Sequence, residues 1–189
     1  MILKPKLYYI VGPSGAGKDS LLRLLKEKQF FSHQPLVSHR YITRAVREND
    51  ENHIELSTFD FLHRQQAGHF LFDWESHGHQ YAVGREVQEW LRSGRDVIVN
   101  GSRAYLNKAR EIYPPLVPIW MQVSDDVLRT RLFNRGREKP SEIEYRILRN
   151  REFNQQKPVN CIYITNDLPI ENTIDQLIVQ LEAKRREYA

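Results

Sequence analysis

The sequence contains a single cysteine, Cys161, so no disulfide can form within the chain. It also lacks a long apolar run: Leu7–Val11, near the start, is far shorter than the roughly 20 residues that a membrane-spanning helix needs. There is no internal repeat and no low-complexity tract. These absences exclude a disulfide scaffold, a membrane-spanning protein and a repeat array. We expect a cytoplasmic protein without a membrane partner.

The composition is that of an ordinary globular chain. Hydrophobic residues make up 40% and charged residues 28% of the sequence. Its 189 residues correspond in length to one domain, spanning residues 1–189. The net charge is +4, and arginine supplies 19 of the 28 basic residues. Arginine presents a planar fork of donors that suits phosphate groups better than a lysine ammonium does. The composition therefore indicates phosphorylated ligands, although a solvated basic surface would give the same balance.

Short apolar runs alternate with amphipathic stretches along the chain. Strands are predicted at Leu7–Val11, Asp96–Asn100, Val117–Val123 and Cys161–Thr165, with helices at 20–28 and 170–187. Strands that alternate with helices predict a parallel sheet in an α/β layer fold. The irregular, polar stretch from Val37 to Gly84 is interpreted as an insertion on the main layer. Capping-box spacings predict two further helix starts, at Ser57 and Ser141.

A glycine-rich loop that follows the first predicted strand and opens the first predicted helix is the strongest motif. It reads Gly-Pro-Ser-Gly-Ala-Gly-Lys at positions 12–18. Glycines permit close approach to phosphate, and the loop amides with the helix N-terminus form an anion cradle. Lys18 is predicted to reach the β- and γ-phosphates of ATP and to act in catalysis. The predicted ATP-phosphate site consists of Gly12, Pro13, Ser14, Gly15, Ala16, Gly17, Lys18, Asp19 and Ser20.

The residue after this lysine departs from the usual pattern. That position normally carries a serine or threonine whose hydroxyl holds Mg²⁺, and here it is Asp19. Ser20 lies about 100° further around the helix and is a poor substitute. A carboxylate is a good ligand for a hard cation, so Asp19 is predicted to contact Mg²⁺, directly or through a water. The alternative is that Asp19 only interacts favourably with the helix dipole.

A first arginine group follows the second strand region. Arg40, Arg44 and Arg47 lie within eight residues of the irregular segment. In a phosphoryl-transfer enzyme, such arginines can bind the phosphates of the acceptor through bidentate hydrogen bonds. The alternative is three exposed loop arginines of no specific function.

A second arginine group lies in and beside the segment at 134–140, which is interpreted as a lid. Arg131 and Arg135 are four residues apart and share one face of a continuing helix, a placement that is unfavourable without an anion. Together with Arg137 they are predicted to be catalytic, because arginines stabilise the negative charge of a phosphoryl group in transfer. Arg146 is assigned to the acceptor. The alternative is a solvated charged face.

With these motifs in hand, the chain resembles the guanylate-kinase-like branch of the P-loop kinases. The matching segments are the phosphate loop at 12–18, Ser-His-Arg-Tyr-Ile-Thr-Arg at 38–44, Arg-Gly-Arg-Glu at 135–138 and Asn-Asp at 166–167. The resemblance implies an α/β three-layer P-loop kinase fold with a parallel five-stranded core sheet. It also implies an acceptor-binding insertion at 38–84, to which Tyr81 belongs, and an arginine-rich lid at 134–140.

The residues with which guanylate kinases read their nucleotide are missing. The stretch at 51–56 reads Glu-Asn-His-Ile-Glu-Leu and lacks the tyrosine of that branch. Phe72 or Asp73 stands nearest to the guanine-reading glutamate, and Ile-Val-Asn-Gly at 98–101 lacks the carboxylate of Asp-Val-Gln-Gly. Sites that hydrogen-bond a substrate discriminate strongly, so these losses argue against a guanine acceptor.

A closer resemblance is to the ribose 1,5-bisphosphate phosphokinase family of phosphonate breakdown. It covers Gly-Lys-Asp-Ser at 17–20, His-Arg-Tyr-Ile-Thr-Arg at 39–44, Glu-Asn-His-Ile at 51–54, Val-Asn-Gly-Ser-Arg at 99–103 and Asn-Arg-Gly-Arg-Glu at 134–138. The resemblance implies transfer of the γ-phosphoryl group of ATP, with Mg²⁺, to the 1-phosphate of ribose 1,5-bisphosphate. The product would be 5-phosphoribosyl 1-diphosphate. Asn100, Ser102 and Arg103 are assigned to the acceptor, the alternative being helix capping and surface charge.

Three other functions compete with this one. A guanylate-kinase-like nucleoside monophosphate kinase would prefer an acceptor that carries a base. A catalytically silent binding module would not turn over ATP, although Lys18 and the lid arginines argue against it. A nucleic-acid binder would lose affinity steeply with salt, and no motif supports it. The expected partners are therefore ATP and a small phosphorylated sugar, while the sequence leaves the oligomeric state open.

Overall fold

The structure, a computed structural model, describes residues 4–27, 29, 33–45 and 52–186. The strands in these ranges are β1 (Leu7–Val11), β2 (Leu36–Val37), β3 (Arg40–Ile42), β4 (His53–Glu55), β5 (Phe70–Ser76), β6 (His79–Gly84), β7 (Val97–Asn100), β8 (Val117–Gln122) and β9 (Ile162–Thr165). The helices are α1 (Lys18–Glu27), α2 (Thr58–Gln66), α3 (Glu86–Arg92), α4 (Leu106–Ile112), α5 (Asp125–Arg135), α6 (Pro140–Gln155) and α7 (Ile170–Arg186). None of these helices is long and apolar enough to cross a membrane.

Five of the strands form an all-parallel sheet in the order β2-β7-β1-β8-β9. β1 lies between β7 and β8, so the chain order reverses at β1. In an open parallel sheet, such a reversal leaves a crevice beyond the carboxyl ends of the strands, where ligands bind. The five-stranded parallel core that the resemblance implied is thus confirmed, and its crevice opens where the phosphate loop leaves β1.

Both faces of this sheet are covered. Along β1, Tyr8 and Ile10 pack against α1, α5, α6 and α7, while Leu7, Tyr9 and Val11 pack against α3, α4 and the β5–β6 hairpin. Every residue of β1 is buried, as expected when helices cover both sides of a parallel strand. The three-layer α/β architecture is confirmed.

The segment between β2 and β7 contains a second, four-stranded sheet in the order β4-β3-β6-β5. β5 and β6 form an antiparallel hairpin whose turn includes His77 and Gly78, with φ angles of 52° and 73°. Reading this segment as irregular was wrong, because it is largely composed of regular strands and a helix. β3 and β4 are three residues long and therefore too short to show the alternation that identifies a strand in sequence.

One predicted helix start is confirmed and the other is wrong. Ser57 caps α2, and its Oγ accepts a hydrogen bond from the Asp60 amide at 3.0 Å. Ser141, in contrast, lies inside α6, which begins at Pro140. Proline suits the first helical position because no partner is needed there for an amide proton. The Lys139 amide instead donates to Glu142 Oε2 at 2.6 Å, so the capping box lies two residues before the expected one.

Candidate active site

The phosphate loop at 12–17 connects β1 to α1 at the centre of the crevice. Gly12 packs against β8 so closely that a Cβ atom would lie 2.7 Å from the Met121 carbonyl oxygen. Lys18 folds back over the loop, and its Nζ donates to the carbonyl oxygens of Gly12 at 2.8 Å and Pro13 at 2.9 Å. The lysine ammonium is thus held above the loop, at the position where phosphate is expected.

Positive charge is concentrated around Lys18. Burial lowers the pKa of Lys18 to about 7; the nearby Asp19 carboxylate opposes that shift, and Arg103, Arg40 and Arg135 add to it. A site that makes an ammonium ion unfavourable in this way attracts an anion, which would restore the ordinary protonation of the lysine. The electrostatics therefore match the anion-binding role expected of the loop.

Two side chains hold the loop from the opposite side. Asn166, which directly follows β9 and is buried, donates from Nδ2 to the Ala16 carbonyl oxygen at 2.6 Å. Its Oδ1 accepts from Thr173 Oγ1 at 2.8 Å, so both ends of the amide are fixed. Arg131 Nη1 donates to the same Ala16 oxygen at 3.4 Å. Asn166 was not among the predicted site residues, although its position after the last core strand is a signal for it.

Asp19 is the carboxylate next to Lys18. Its Oδ1 accepts from Asn100 Nδ2 at 2.7 Å and from Arg40 Nη2 at 3.3 Å, while no hydrogen bond from a described residue reaches Oδ2. Burial raises the pKa of Asp19, but the charges of Arg40 and Lys18 outweigh this and leave it below its usual value. Asp19 is therefore an ionised carboxylate with one fixed oxygen and one open oxygen.

The donors present fit a divalent cation held mainly by phosphate and water. No cluster of three or more metal-ligating side chains occurs in the part of the chain that the structure describes. β7 and β8, the neighbours of β1, end in Asn100 and Gln122 rather than in carboxylates. The buried Oδ1 of Asn100 accepts no hydrogen bond from the described residues and belongs to the same amide that contacts Asp19. Mg²⁺ is commonly bound by one or two protein oxygens plus substrate phosphates, and Asp19 and Asn100 supply such oxygens.

Replacing Asp19 with alanine is expected to raise the Mg²⁺ concentration needed for half-maximal ATP binding by about tenfold, because the open carboxylate oxygen is lost. A titration of Mg²⁺ at fixed ATP, followed by fluorescence of a labelled nucleotide, measures this without reference to turnover. Asp126→Ala is the matched control, since Asp126 is an exposed carboxylate in the first turn of α5. If Asp19→Ala needs no more Mg²⁺ than wild type, Asp19 does not bind the metal and only interacts with the dipole of α1.

The first arginine group is only partly placed at the site. Arg40 lies on β3 with its side chain 13% exposed; it donates to His53 Nε2 at 2.6 Å and to Asp19. Its guanidinium carbon lies 5.8 Å from the ring centre of Tyr81, which also belongs to the predicted acceptor site. Arg44 is half-buried just beyond β3. Arg47 lies outside the described residues.

The lid arginines differ from one another in their surroundings. Arg131 contacts the phosphate loop, and Arg135 is exposed at the end of α5 but close enough to affect the pKa of Lys18. Arg137 is exposed and forms no hydrogen bond or ion pair with any described residue. Arg146 forms an ion pair with the largely buried Glu138 at 3.1 Å. The structure thus brings Arg131 and Arg135 to the loop and leaves Arg137 in solvent.

The residues after β7 approach the loop from the other side. The Ser102 amide donates to the Tyr9 hydroxyl at 3.0 Å, which fixes the backbone at the end of this strand. Arg103 points towards α6, and its Nη1 donates to Asn150 Oδ1 at 2.7 Å. Its guanidinium also lies over the ring of Phe153, with 4.4 Å between the guanidinium carbon and the ring centre. The two α6 residues carry no motif that identifies them in sequence.

Of the two residues nearest to the guanine-reading position, Phe72 is buried and Asp73 holds a hydrogen bond within the protein. Phe72 is fully buried, and its ring packs edge-on against Tyr9 with 5.6 Å between the centres. The Asp73 carboxylate accepts from Gln65 Nε2 of α2 at 2.6 Å. Asp73 stands near the position of the guanine-reading glutamate in sequence. In the structure its carboxylate links β5 to α2.

Comparison with known proteins gives matches over most of the chain. The AAA domain family model matches residues 9–154. A ribose 1,5-bisphosphate phosphokinase of Pectobacterium parmentieri is 46% identical over 170 residues, which are 89% of each chain. Proteins of the same description from Yersinia pestis and Thiobacillus denitrificans are 43% and 40% identical, over 91% and 97% of this chain and 89% and 98% of theirs.

Among solved structures, the fold is similar to that of a guanylate kinase from Anaplasma phagocytophilum. The superposition has a TM-score of 0.72 and covers 98% of this chain and 88% of that one. Sequence identity is 18%, so this likeness concerns the fold alone. It agrees with the guanylate-kinase-like architecture that the motifs implied.

Proposed function

This chain belongs to the ribose 1,5-bisphosphate phosphokinase family and matches the AAA domain model, and from that membership we propose that it phosphorylates ribose 1,5-bisphosphate with ATP. The product is 5-phosphoribosyl 1-diphosphate, formed in the cytoplasm during phosphonate breakdown. Relatives at 40–46% identity over most of both chains support the acceptor. The phosphate loop supports the donor, and the Asp19 carboxylate beside it supports the use of Mg²⁺.

The observation that carries the proposal is the charge at the loop. The charges of Arg40, Lys18 and Arg135 act on the Asp19 carboxylate, and those of Arg103, Arg40 and Arg135 act on Lys18. The reacting partners are both highly anionic and one of them has no base, so the site needs many cations and no base-reading groups. The buried Phe72 and the engaged Asp73 agree with this requirement.

The reaction requires no general base. An oxygen of the 1-phosphate attacks the γ-phosphorus of ATP, the new O–P bond forms, and the bond from that phosphorus to the β–γ bridging oxygen breaks. ADP leaves with the electron pair of the broken bond. Because the attacking phosphate is already anionic, positioning and electrostatic stabilisation are sufficient.

Each part of the site then has a role. Lys18 and the loop amides bind the ATP phosphates, and Arg131, Arg135 and Arg137 offset the charge that develops on the transferred group. Mg²⁺, bound by Asp19 and Asn100, would neutralise charge on the β- and γ-phosphates. The segment at 38–84 binds the acceptor and the segment at 134–140 closes over it. The acceptor residues are Arg40, Arg44, Arg47, Tyr81, Asn100, Ser102, Arg103 and Arg146.

The acceptor assignment is tested by direct competition. The purified protein is incubated with Mg-ATP and equal concentrations of ribose 1,5-bisphosphate and GMP, and phosphorus NMR follows the products. We expect the diphosphate signals of 5-phosphoribosyl 1-diphosphate, and at least about a hundredfold less GDP, because a site without base-reading groups gains nothing from guanine.

Two outcomes contradict the proposal in different ways. Formation of GDP alone would make the chain a nucleoside monophosphate kinase and would require other residues to read the base. If neither product forms while ATP still binds, as measured by calorimetry, the chain is a silent binding module.

A further inference from the structure

Two arginines from different elements share one aromatic ring at the edge of the site. The guanidinium carbons of Arg103 and Arg149 lie 4.4 Å and 5.6 Å from the ring centre of Phe153. Neither arginine forms an ion pair with a carboxylate of the described chain. The side chain of Arg103 donates one hydrogen bond, to Asn150, and that of Arg149 donates none within the described residues. Two like charges held so close together repel each other and are stabilised by an anion between them.

These side chains continue a row of positive charge that starts at the phosphate loop. Burial lowers the pKa of Arg103 to about 10, and Arg149 contributes to the shift. At the far end, burial lowers the pKa of His77 in the β5–β6 turn, with Arg146 and Arg149 adding to the effect. The row therefore runs from the phosphate loop through Arg103, which lies three residues beyond Asn100 and its contact with Asp19, to Arg149 at the ring of Phe153.

The side chains of Arg103 and Arg149 are held in place by residues of α6. Asn150 is 1% exposed and fixes one nitrogen of Arg103, while the ring of Phe153 lies beside both guanidinium groups. The buried Nδ2 of Asn150 donates no hydrogen bond to any residue in the described ranges, so this amide offers a further donor beside Arg103. An arginine that is pre-oriented in this way loses little conformational entropy when it binds a phosphate.

We propose that Arg103 and Arg149 bind the phosphate of the acceptor that does not react, which is the 5-phosphate of ribose 1,5-bisphosphate. The inference rests on the proposed function. The 1-phosphate has to approach the γ-phosphoryl group at Lys18, and the ribose ring separates it from the 5-phosphate. The 5-phosphate therefore lies further from the phosphate loop than the 1-phosphate does, and it needs cations of its own there. Arg103 and Arg149 supply them.

This subsite makes the second phosphate a specificity determinant. A sugar with a phosphate at carbon 1 alone reaches the reacting position but leaves Arg103 and Arg149 without an anion. Charge-assisted, bidentate hydrogen bonds are stronger than neutral ones. A ligand without the second phosphate should therefore bind much more weakly. Ribose 5-phosphate, which lacks the reacting phosphate, retains this contact and binds as an inhibitor.

The test combines a change in the protein with a change in the ligand. Arg149→Met removes the charge but keeps an unbranched side chain against Phe153. Calorimetry and steady-state kinetics compare wild type and variant with ribose 1,5-bisphosphate, ribose 1-phosphate and ribose 5-phosphate. We expect the variant to bind the bisphosphate and ribose 5-phosphate about tenfold to a hundredfold more weakly. Affinity for ribose 1-phosphate and the KM for ATP should change less than twofold.

Arg151→Met is the matched control, because Arg151 lies on the same helix, is exposed and pairs with Asp125 at 2.6 Å. It should leave all four constants unchanged. An equal loss for every sugar phosphate in Arg149→Met, or a rise in the KM for ATP instead, would overturn the subsite. Thermal melting of both variants checks the fold, and Arg149→Lys, which restores the charge, should recover part of the lost affinity.

The wild-type measurements separate this inference from the proposed function. Turnover of the bisphosphate with no effect of Arg149→Met refutes the subsite and leaves the function intact. Binding of the bisphosphate that depends on Arg149 but gives no turnover refutes the function and supports the subsite.

Discussion

Replacing Lys18 with alanine should lower kcat/KM for ATP by about a thousandfold. The lysine Nζ lies over the phosphate loop, within hydrogen-bond distance of the Gly12 and Pro13 carbonyl oxygens, and is the cation that reaches the transferred group. Loss of one such pre-organised stabilising group typically costs two to three orders of magnitude. Initial rates with saturating acceptor and varied ATP measure the effect.

Proton uptake distinguishes loss of this cation from general damage. Burial lowers the pKa of Lys18 to about 7, so at pH 8 the free protein carries mostly the neutral amine. The phosphates of bound ATP raise that pKa again, and binding at pH 8 should therefore take up close to one proton. Calorimetry in two buffers of different ionisation enthalpy measures this uptake, which Lys18→Ala should abolish.

A second lysine serves as the control. Lys108 on α4 is exposed and pairs with Glu111 at 3.0 Å, so Lys108→Ala should keep both the rate and the proton uptake. Full activity in Lys18→Ala, with a normal melting curve, would remove the phosphate loop from the mechanism.

Replacing Gly17 with alanine is expected to lower the affinity for ATP by at least about tenfold and to destabilise the fold. Gly17 has a φ of 92°, which costs an L-residue about 1–2 kcal/mol. A Cβ atom there would also overlap Asn166 Nδ2, the group that holds the Ala16 carbonyl. The loop amides would move with that contact, and nucleotide titration together with thermal melting measures both effects.

Gly94 provides a control with nearly the same backbone conformation. Its φ is 87°, and an added Cβ would meet no atom within 4 Å. Gly94→Ala should therefore lose a similar amount of stability from the backbone strain alone and keep its affinity for ATP. Equal ATP affinities in the two variants would show that the contact between Gly17 and Asn166 does not shape the loop.

The parts of the site that could be predicted from sequence are those whose signal is local. The phosphate loop, its lysine and the unusual Asp19 lie within eight consecutive positions, and the loop stands between a strand and a helix as the motif requires. The buried β1 and β7 were recognised because continuous apolar runs mark strands that are covered on both faces. The AAA domain match and the parallel core agree with those predictions.

The parts that could not be predicted depend on contacts between distant positions. Asn166 reaches Ala16 across 150 residues, and Asn150 reaches Arg103 across 47. No spacing rule connects such pairs, because the sheet order and the packing of α6 decide which side chains meet. Phe153 has no sequence signal at all, since an aromatic residue on a helix is usually part of a core.

The chain leaves the core sheet after β2 and returns to it at β7, and these two strands are neighbours in which Leu36 pairs with Val97. Everything built between them, including the second sheet, is a single uninterrupted stretch of sequence whose two ends lie side by side. On the proposed function, this stretch carries much of the acceptor recognition and none of the phosphate loop. Recombination of one continuous piece of a gene could thus alter part of the acceptor site, while the phosphate loop and the Arg103–Arg149 pair are inherited unchanged.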